Sequence, residues 1–259
     1  MPLELIRSFV ETANQRDCDF PLNNLPFGVC FEKEKQMCFS ATAIGDQVLN
    51  LTLAEELDLI PNLGFKNALL NSFMSKGPSV RKEIRKVLQD LLSENSKKRS
   101  EVEKCLLPLN KCYNGKAFNV SEYTDFYSCK NHALNASKII RGEDAELPNN
   151  WYNLPVAYNG RASSVLVTGS NISRPTGQIF DQESGIIKFE PTRKMDFELE
   201  IGTVIGGSLP VSKTLDFDEA ENLIFGYVLL NDWSARDIQA WEYQPLGPFL
   251  SKSFGTTIS

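Results

Sequence analysis

Residues 225–257 read FGYVLLNDWSARDIQAWEYQPLGPFLSKSFGTT. The run 227–230 has the apolar, β-branched and aromatic character of a buried strand, and it ends in Asn231-Asp232. That order puts a carboxylate at the strand's end, at the mouth of the core. Ser234 and Asp237 then have the spacing of a capping box, with Asp in place of the usual Glu or Gln. Ala235, Ile238 and Trp241 recur at helical spacing, so a short amphipathic helix is predicted. On its other face Arg236, Gln239 and Tyr243 present a cation, an amide and a phenol side by side. Pro245, Gly247 and Pro248 stop the helix, and Lys252, Gly255 and Thr256 follow in a loop.

Working outward, residues 195–201, MDFELEI, alternate strictly. Phe197, Leu199 and Ile201 face one way and Asp196, Glu198 and Glu200 the other. Taken alone, the pattern describes a half-buried strand with a solvated acidic face. Like charges roughly 6 to 7 Å apart repel by roughly 2 to 3 kcal/mol at an effective dielectric near ~20, so an acidic row drawn partly out of water requires a cation. Carboxylates of this row, joined by Asp125 and Asp232, make an all-oxygen set suited to a hard ion, Mg²⁺ or Ca²⁺, and not to zinc.

The chain has one histidine, His132. A lone histidine is more often an ordinary core or surface residue than a catalyst, and only its setting raises its standing. Asp125, Tyr127, His132 and Arg141 put an acid, a phenol, a base and a fixed cation within seventeen residues, in a stretch that turns helical around 131–140. An oxygen-ligated ion grips neighbouring oxygens of a β-diketone or keto acid and favours the negative charge that develops when such a compound is cleaved. His132 is placed to act as a base toward water, and Arg236, Gln239 and Lys252 offer donors to an oxyanion. Spacing allows this scheme without selecting it.

The remainder bounds the fold. With 259 residues and 42% hydrophobic content, the chain can bury one large core or two ordinary ones. A net charge of −6 argues against nucleic acid or an anionic membrane as partner, and the short basic cluster Lys97-Lys98-Arg99 reads as solvated. The opening MPLELIRSFVETANQRD lacks the apolar core of a signal peptide, and no window approaches a membrane span, which points to the cytoplasm. Six cysteines without CxxC spacing read as free thiols. Residues 1–16 read as an amphipathic helix through Leu3, Ile6, Phe9 and Val10, followed by a strand at 28–31. Residues 37–44 and 47–51 read as strands hinged on Gly45-Asp46. A helical region follows, with Val80, Ile84, Val87, Leu88, Leu91 and Leu92 in register behind Pro78-Ser79. The turn-rich Tyr113-Asn114-Gly115-Lys116 suggests a domain boundary within 114–120.

Several blocks are more specific than any of these patterns: DFPLNNLPFGV, LNSFM, YTDFYS continuing into NHALN, LPVAYNGRASSV, RPTGQ, MDFELE and the whole of 224–257. In these, essentially end to end, the sequence resembles the fumarylacetoacetase family. The resemblance implies a mainly β fold with some α: a small SH3-like N-terminal domain, residues 1–117, and the N-terminal part of a mixed β-roll catalytic domain, residues 118–259. It also implies metal-dependent hydrolysis of 4-fumarylacetoacetate to fumarate and acetoacetate, the last step of tyrosine and phenylalanine catabolism, in a homodimer. Carried over by position, Asp125, Glu198, Glu200 and Asp232 match the family's metal carboxylates for Mg²⁺ or Ca²⁺, with Lys252 and Thr256 as further metal contacts. His132 matches the general base. Tyr127, Arg141, Gln239 and Tyr243 match substrate-binding positions, and Arg236, Gln239 and Lys252 match groups that steady the transition state. Asp196 has no such role and is expected to be solvated or structural.

Two departures stand out. Asn159 occupies a position where members of this family usually have histidine, and members continue well past the position of Ser259. A truncated chain is therefore expected, and the competing readings are a chain that only binds a divalent cation or a partner subunit, or an acylpyruvate hydrolase or oxaloacetate decarboxylase of the same superfamily. The N-terminal region and WEYQPLGPF argue against the last two, since the smaller relatives generally lack both.

Overall fold

The structure, a computed structural model, describes residues 4–209 and 211–259. It is a mixed α/β protein with several separate sheets. Two compact units are formed, Met1–Asn119 with Thr203–Gly226, and Val120–Gly202 with Tyr227–Ser259.

In the first unit, β1 (Phe27–Glu32), β2 (Met37–Ile44), β3 (Gln47–Asn50), β4 (Leu106–Pro108) and β5 (Cys112–Gly115) make an antiparallel sheet in the order β4-β3-β2-β1-β5. Its helices between residues 51 and 102 are α1 (Leu51–Glu56), α2 (Asn71–Met74), α3 (Gly77–Leu92) and α4 (Arg99–Val102). The predicted Gly45-Asp46 hairpin is present. Gly45 has φ +56°, and a Cβ there would lie 2.3 Å from the Thr12 hydroxyl oxygen, so both conformation and space require glycine. The period-2 pattern of the strands sorts their side chains between two cores. Val29, Ile44 and Leu49 join Leu22, Leu25 and the Phe65 and Phe73 rings, whereas Cys30, Phe39, Ala41 and Val48 make a small cluster with Cys112.

α3 begins with Pro78 in its first turn and buries Ile84, Leu88, Leu91 and Leu92, the stripe its sequence predicts. α1 ends beside a different device. The Glu55 carboxylate accepts the backbone N–H groups of Leu63, Gly64, Phe65 and Lys66, closing the loop that delivers Phe65 to the core.

The predicted N-terminal helix is not formed among the described residues, and Leu3 lies outside them. Only Glu11–Asn14 makes a 3₁₀ turn. Asn14 instead exchanges two hydrogen bonds with the Ser8 backbone, and the Ser8 hydroxyl donates to the Leu92 carbonyl. Side-chain bonds of this kind compete directly with helical ones.

The second unit contains β6 (Thr124–Phe126), α5 (Lys130–Arg141), β7 (Ala157–Asn159), β8 (Val165–Val167), β9 (Thr176–Asp181), β10 (Ile186–Pro191) and β11 (Met195–Asp196). The chain then enters β12 (Leu199–Ile205), which runs into the first unit, passes through α6 (Phe217–Leu223) and returns along β13 (Ile224–Asp232). β14 (Ser234–Ala235), α7 (Arg236–Glu242), α8 (Leu250–Ser253) and β15 (Thr256–Ile258) follow. One sheet has the order β12-β13-β15-β8, and β6-β7, β9-β10 and β11-β14 are two-stranded ribbons. Among the described residues no helix is long and apolar enough to cross a membrane.

Three expectations for this unit are corrected. Ser234 does not cap α7: it lies in β14, its hydroxyl donates to the Asp232 carbonyl, and the Asp237 carboxylate instead accepts from the Arg193 amide and the Thr192 hydroxyl. The alternation of 195–201 is present but inverted relative to a strand with a solvated acidic face. Phe197, Leu199 and Ile201 are exposed, Leu199 by 73%, whereas Glu198 is only 7% exposed. The run 227–230, expected to be buried, leaves Tyr227 and Leu229 exposed on β13, so an apolar row faces outward while the acids face in.

The Glu55 device yields a test of the first unit. Glu55→Ala leaves four amides without their acceptor and is expected to lower unfolding stability by about 2–4 kcal/mol in denaturant titrations. Leu199→Ser, on an exposed side chain, is expected to change it by no more than about 0.5 kcal/mol.

Candidate active site

The site is assembled in the second unit where several chain segments meet side by side. β13 ends at Asp232, whose amide donates to the Glu198 carbonyl, and the Asn231 side chain accepts from the Glu198 amide. β15 pairs Thr256 directly with Asp232, and the Trp233 indole donates to the Thr257 hydroxyl at 3.0 Å. These bonds fix Glu198 beside Asp232 before any ionic contact is considered.

Two cations hold the acids. Arg236, at the start of α7, donates through Nε to Asp196 at 2.9 Å and through a terminal nitrogen to Glu198 at 2.7 Å. Its other terminal nitrogen donates to Gln239 Oε1 at 3.0 Å. Lys252, on α8, donates through Nζ to Glu198 and, at 2.7 Å, to Asp232. All these groups except the Asp196 side chain are nearly removed from water. Burial alone pushes the Glu198 carboxyl up, but His132, Lys252 and Arg236 together hold it well below the usual carboxylate range. Burial also works against the charged forms of Arg236 and Lys252, and the carboxylates beside them outweigh it and keep both cationic.

His132 lies in the first turn of α5, with Nε2 3.5 Å from Glu198 and 3.8 Å from Glu200. The hydrogen bond to Glu198 raises its pKa, burial opposes the rise, and the charges of Glu198 and Glu200 add to it. Across the site, β6 pairs with β7 so that Asp125 stands opposite Tyr158. The Tyr158 hydroxyl contacts Asp125 at 2.8 Å and Asp232 at 3.1 Å. Burial, followed by the charges of Asp232 and Asp125, pushes this phenol up and keeps its proton in place.

The remaining acids are under-compensated. Burial first, then Asp125, Glu198 and Asp232, raise Glu200 to about 7. Burial raises Asp232 to about 6 against the opposing pull of Lys252. One ligand atom each from Asp125, Glu200 and Asp232 lies within 4.8 Å of the others, and the same holds for His132, Glu198 and Glu200. Asp232 Oδ1 is buried and has no hydrogen-bond partner among the described residues. An orphaned carboxylate oxygen in an all-oxygen group fits a hard divalent cation. The second group fits one less well, because both oxygens of Glu198 already serve Arg236 and Lys252.

The predicted residues do not all converge. His132, Glu198, Glu200, Asp125, Asp232, Arg236, Gln239 and Lys252 form one connected cluster, and Thr256 joins it by its strand pairing with Asp232 while its hydroxyl meets the Tyr123 hydroxyl at 3.2 Å. Lys252 enters as a counter-charge. A protonated amine has no lone pair, so its Nζ cannot ligate an ion while it donates to the two acids. Tyr127 and Arg141 form a separate group: the phenol donates to the Ala133 carbonyl at 2.8 Å, and Arg141 donates to the Ser137 hydroxyl at 2.7 Å and to the Glu146 carbonyl. The Tyr127 ring meets His132 edge to face, with centroids 6.1 Å apart. Tyr243 makes no side-chain hydrogen bond among the described residues, so the predicted row Arg236, Gln239, Tyr243 is joined only in its first two members. Asp196 is structural, as expected, through Arg236. Among the described residues the Asn159 side chain hydrogen-bonds only the Glu122 carboxylate, at 3.4 Å.

Tyr158 was not anticipated. It lies within LPVAYNGRASSV, but a three-residue strand gives no periodicity from which to infer that it faces Asp125.

Two family profiles match the chain. The profile described as "Fumarylacetoacetate (FAA) hydrolase C-terminal" matches residues 122–259, and "Fumarylacetoacetase N-terminal" matches residues 23–114. The chain belongs to the fumarylacetoacetate hydrolase family. Among relatives of this family member, the fumarylacetoacetase of Arabidopsis thaliana is 41% identical over 275 residues, covering 99% of this chain and 63% of its own. Those of Bos taurus and Homo sapiens are 42% and 41% identical, covering 97% of this chain and 62% of theirs. The chain thus spans a little over three-fifths of the length of these curated relatives. The solved structure of a fumarylacetoacetate hydrolase from Exiguobacterium antarcticum matches with a TM-score of 0.47 and 13% identity, over 90% of this chain and 63% of its own.

The raised carboxyls of this family member set a pH dependence. A carboxyl whose folded pKa exceeds its unfolded value contributes stability below the unfolded pKa and loses it as pH rises through the folded one. Chelator-treated protein is therefore expected to lose thermal stability as pH rises through the range set by Asp232 at about 6 and Glu200 at about 7. Glu198 acts oppositely, its stabilisation being lost only as pH falls below the ordinary carboxylate range. Glu200→Gln is expected to flatten the upper part of the profile, measured as melting temperature against pH.

Proposed function

We propose that this chain carries fumarylacetoacetase chemistry: hydrolysis of the carbon-carbon bond of 4-fumarylacetoacetate to fumarate and acetoacetate. The observation that supports it best is a base, His132, set 3.5 Å from a doubly cation-bound glutamate and beside an all-oxygen group with an orphaned acceptor. In this reading Asp125, Glu200 and Asp232, with Glu198 alongside, hold Mg²⁺ or Ca²⁺, and Thr256 and Lys252 line the same place. Once bound, the ion supplies positive charge that grips adjacent ketone oxygens and favours the negative charge left when the bond breaks.

The chain's own residues do the rest. With Nε2–H turned to Glu198, a neutral His132 keeps its Nδ1 lone pair to take a proton from water. The water oxygen adds to the carbonyl carbon, the carbon-carbon bond breaks, and its electron pair passes to the departing acetoacetate carbon, which recovers a proton. Arg236, Gln239 and Lys252 steady the oxyanion, and Tyr127, Arg141, Gln239 and Tyr243 bind the substrate's carboxylate and ketone groups. The same reading assigns residues 1–117 to an SH3-like N-terminal domain and 118–259 to part of a mixed β-roll, in a cytoplasmic homodimer.

A second reading, binding of a divalent cation or a partner subunit without turnover, is favoured by the exposed apolar row of Phe197, Leu199, Ile201, Tyr227 and Leu229. One experiment separates the two. In the first reading, purified chain consumes fumarylacetoacetate, followed by loss of its ultraviolet absorbance, and a chelator stops it until Mg²⁺ or Ca²⁺ is restored. His132→Ala then lowers the rate by roughly 10²- to 10⁴-fold while ion binding persists in calorimetry. Ion binding without turnover selects the second reading, and a His132→Ala variant with most of its rate overturns the assignment of the base.

A further inference from the structure

The chemistry above uses Lys252, but nothing in α8 itself explains why Lys252 is held in place. α8 is four residues long, Leu250–Ser253, and its N-cap residue, Phe249, offers no side-chain cap. A helix this short leaves its first amides without intrahelical partners, and isolated it does not persist. Those amides are satisfied from elsewhere. The Glu242 carboxylate accepts the backbone N–H groups of Phe249 at 2.7 Å, Leu250 at 3.2 Å and Ser251 at 2.9 Å, and also the Ser251 hydroxyl.

Glu242 is the last residue of α7, the helix that carries Arg236 and Gln239. One carboxylate therefore ties α8 to α7 across the six intervening residues 243–248. The consequence appears at Glu198, where one oxygen is held by Arg236 from α7 and the other by Lys252 from α8. The distance between those two cations is a property of how the helices are joined, and Glu242 is the joint. Ser251, which takes two of the four bonds, is fully buried and immediately precedes Lys252.

We infer that Glu242 is a positioning residue: by binding the amides of Phe249, Leu250 and Ser251, it sets the place of the Lys252 ammonium between Glu198 and Asp232. It does not touch the reacting groups; it acts through Lys252. The inference deepens the functional reading above, because Lys252 serves that reading both as counter-charge and as oxyanion donor.

The test uses reductive methylation of lysines in the full 259-residue chain, with labelling at Lys252 followed by mass spectrometry and amide exchange followed in parallel. In the native chain Lys252 is 5% exposed and bound to two acids, so it labels slowly. Glu242→Gln keeps the side chain's size but replaces one acceptor oxygen with a donor. It is expected to raise Lys252 labelling at least ~10-fold relative to the exposed Lys138 and Lys213, with Glu242→Asp intermediate. Faster amide exchange at 249–251 with unchanged Lys252 labelling overturns the inference, since Glu242 would then only cap a helix. If Glu242→Gln fails to fold, Glu242→Asp carries the same comparison, and unchanged labelling there is equally fatal. Turnover supplies the functional arm: a lowered kcat with KM little changed accompanies the labelling change if Lys252 serves the transition state. Labelling that rises in a chain without turnover upholds the positioning of Lys252 and removes the reading of its chemistry.

Discussion

A buried carboxylate needs compensating charge on each side that water has left, and Glu198 has it from Arg236 and Lys252 at once. Much of the second unit can be understood from that requirement. Residues 196–200 turn their acids toward these cations, and the alternating side chains of Phe197, Leu199 and Ile201 consequently face out. α7 and α8 are short and poor in intrinsic stability, yet the Glu242 carboxylate ties one to the other, and each brings one of the two cations. Removing either cation would strand a nearly water-free carboxylate, a larger loss than the pair's net contribution.

Compensation is complete at Glu198 and incomplete beside it. Asp196, Glu198, Glu200, Asp125 and Asp232 are five carboxylates facing two fixed cations and one histidine. Tyr158 moderates the excess by sharing its hydroxyl between Asp125 and Asp232, which also ties the β6-β7 ribbon to the end of β13. A neutral donor cannot cancel charge, however. The raised carboxyls of Glu200 and Asp232 and the unpartnered oxygen of Asp232 are the residue of that imbalance.

The sequence made the elements legible where periodicity was long and uncontested. The stripe of α3, the hairpin turning on Gly45 and the position of β13 with its end at Asp232 all fall where pattern places them, although the run read as buried leaves Tyr227 and Leu229 exposed. It misled where side chains bond to backbone locally, as when Asn14 and Ser8 replace the predicted N-terminal helix. The acidic row was legible as a row but not in its direction. Alternation gives two faces, and which one is buried depends on Arg236 and Lys252, which arrive from 36 or more residues further along the chain. Tyr158 was illegible for a related reason: its partner Asp125 is 33 residues away across a three-residue strand.

The same electrostatics bear on the base proposed at His132. With Glu198 and Glu200 beside it, and against the opposing pull of burial and Lys252, His132 is drawn toward its protonated form, in which it has no lone pair to offer. The groups that raise it are in part the same carboxylates that are poorly compensated. Positive charge added among Asp125, Glu200 and Asp232 would therefore act on two problems together: it ionises the raised carboxyls, and it weakens the field that keeps a proton on the imidazole. On the proposed reading, filling the charge deficit and freeing the base are one event, and the 3.8 Å between His132 Nε2 and Glu200 is what would couple them.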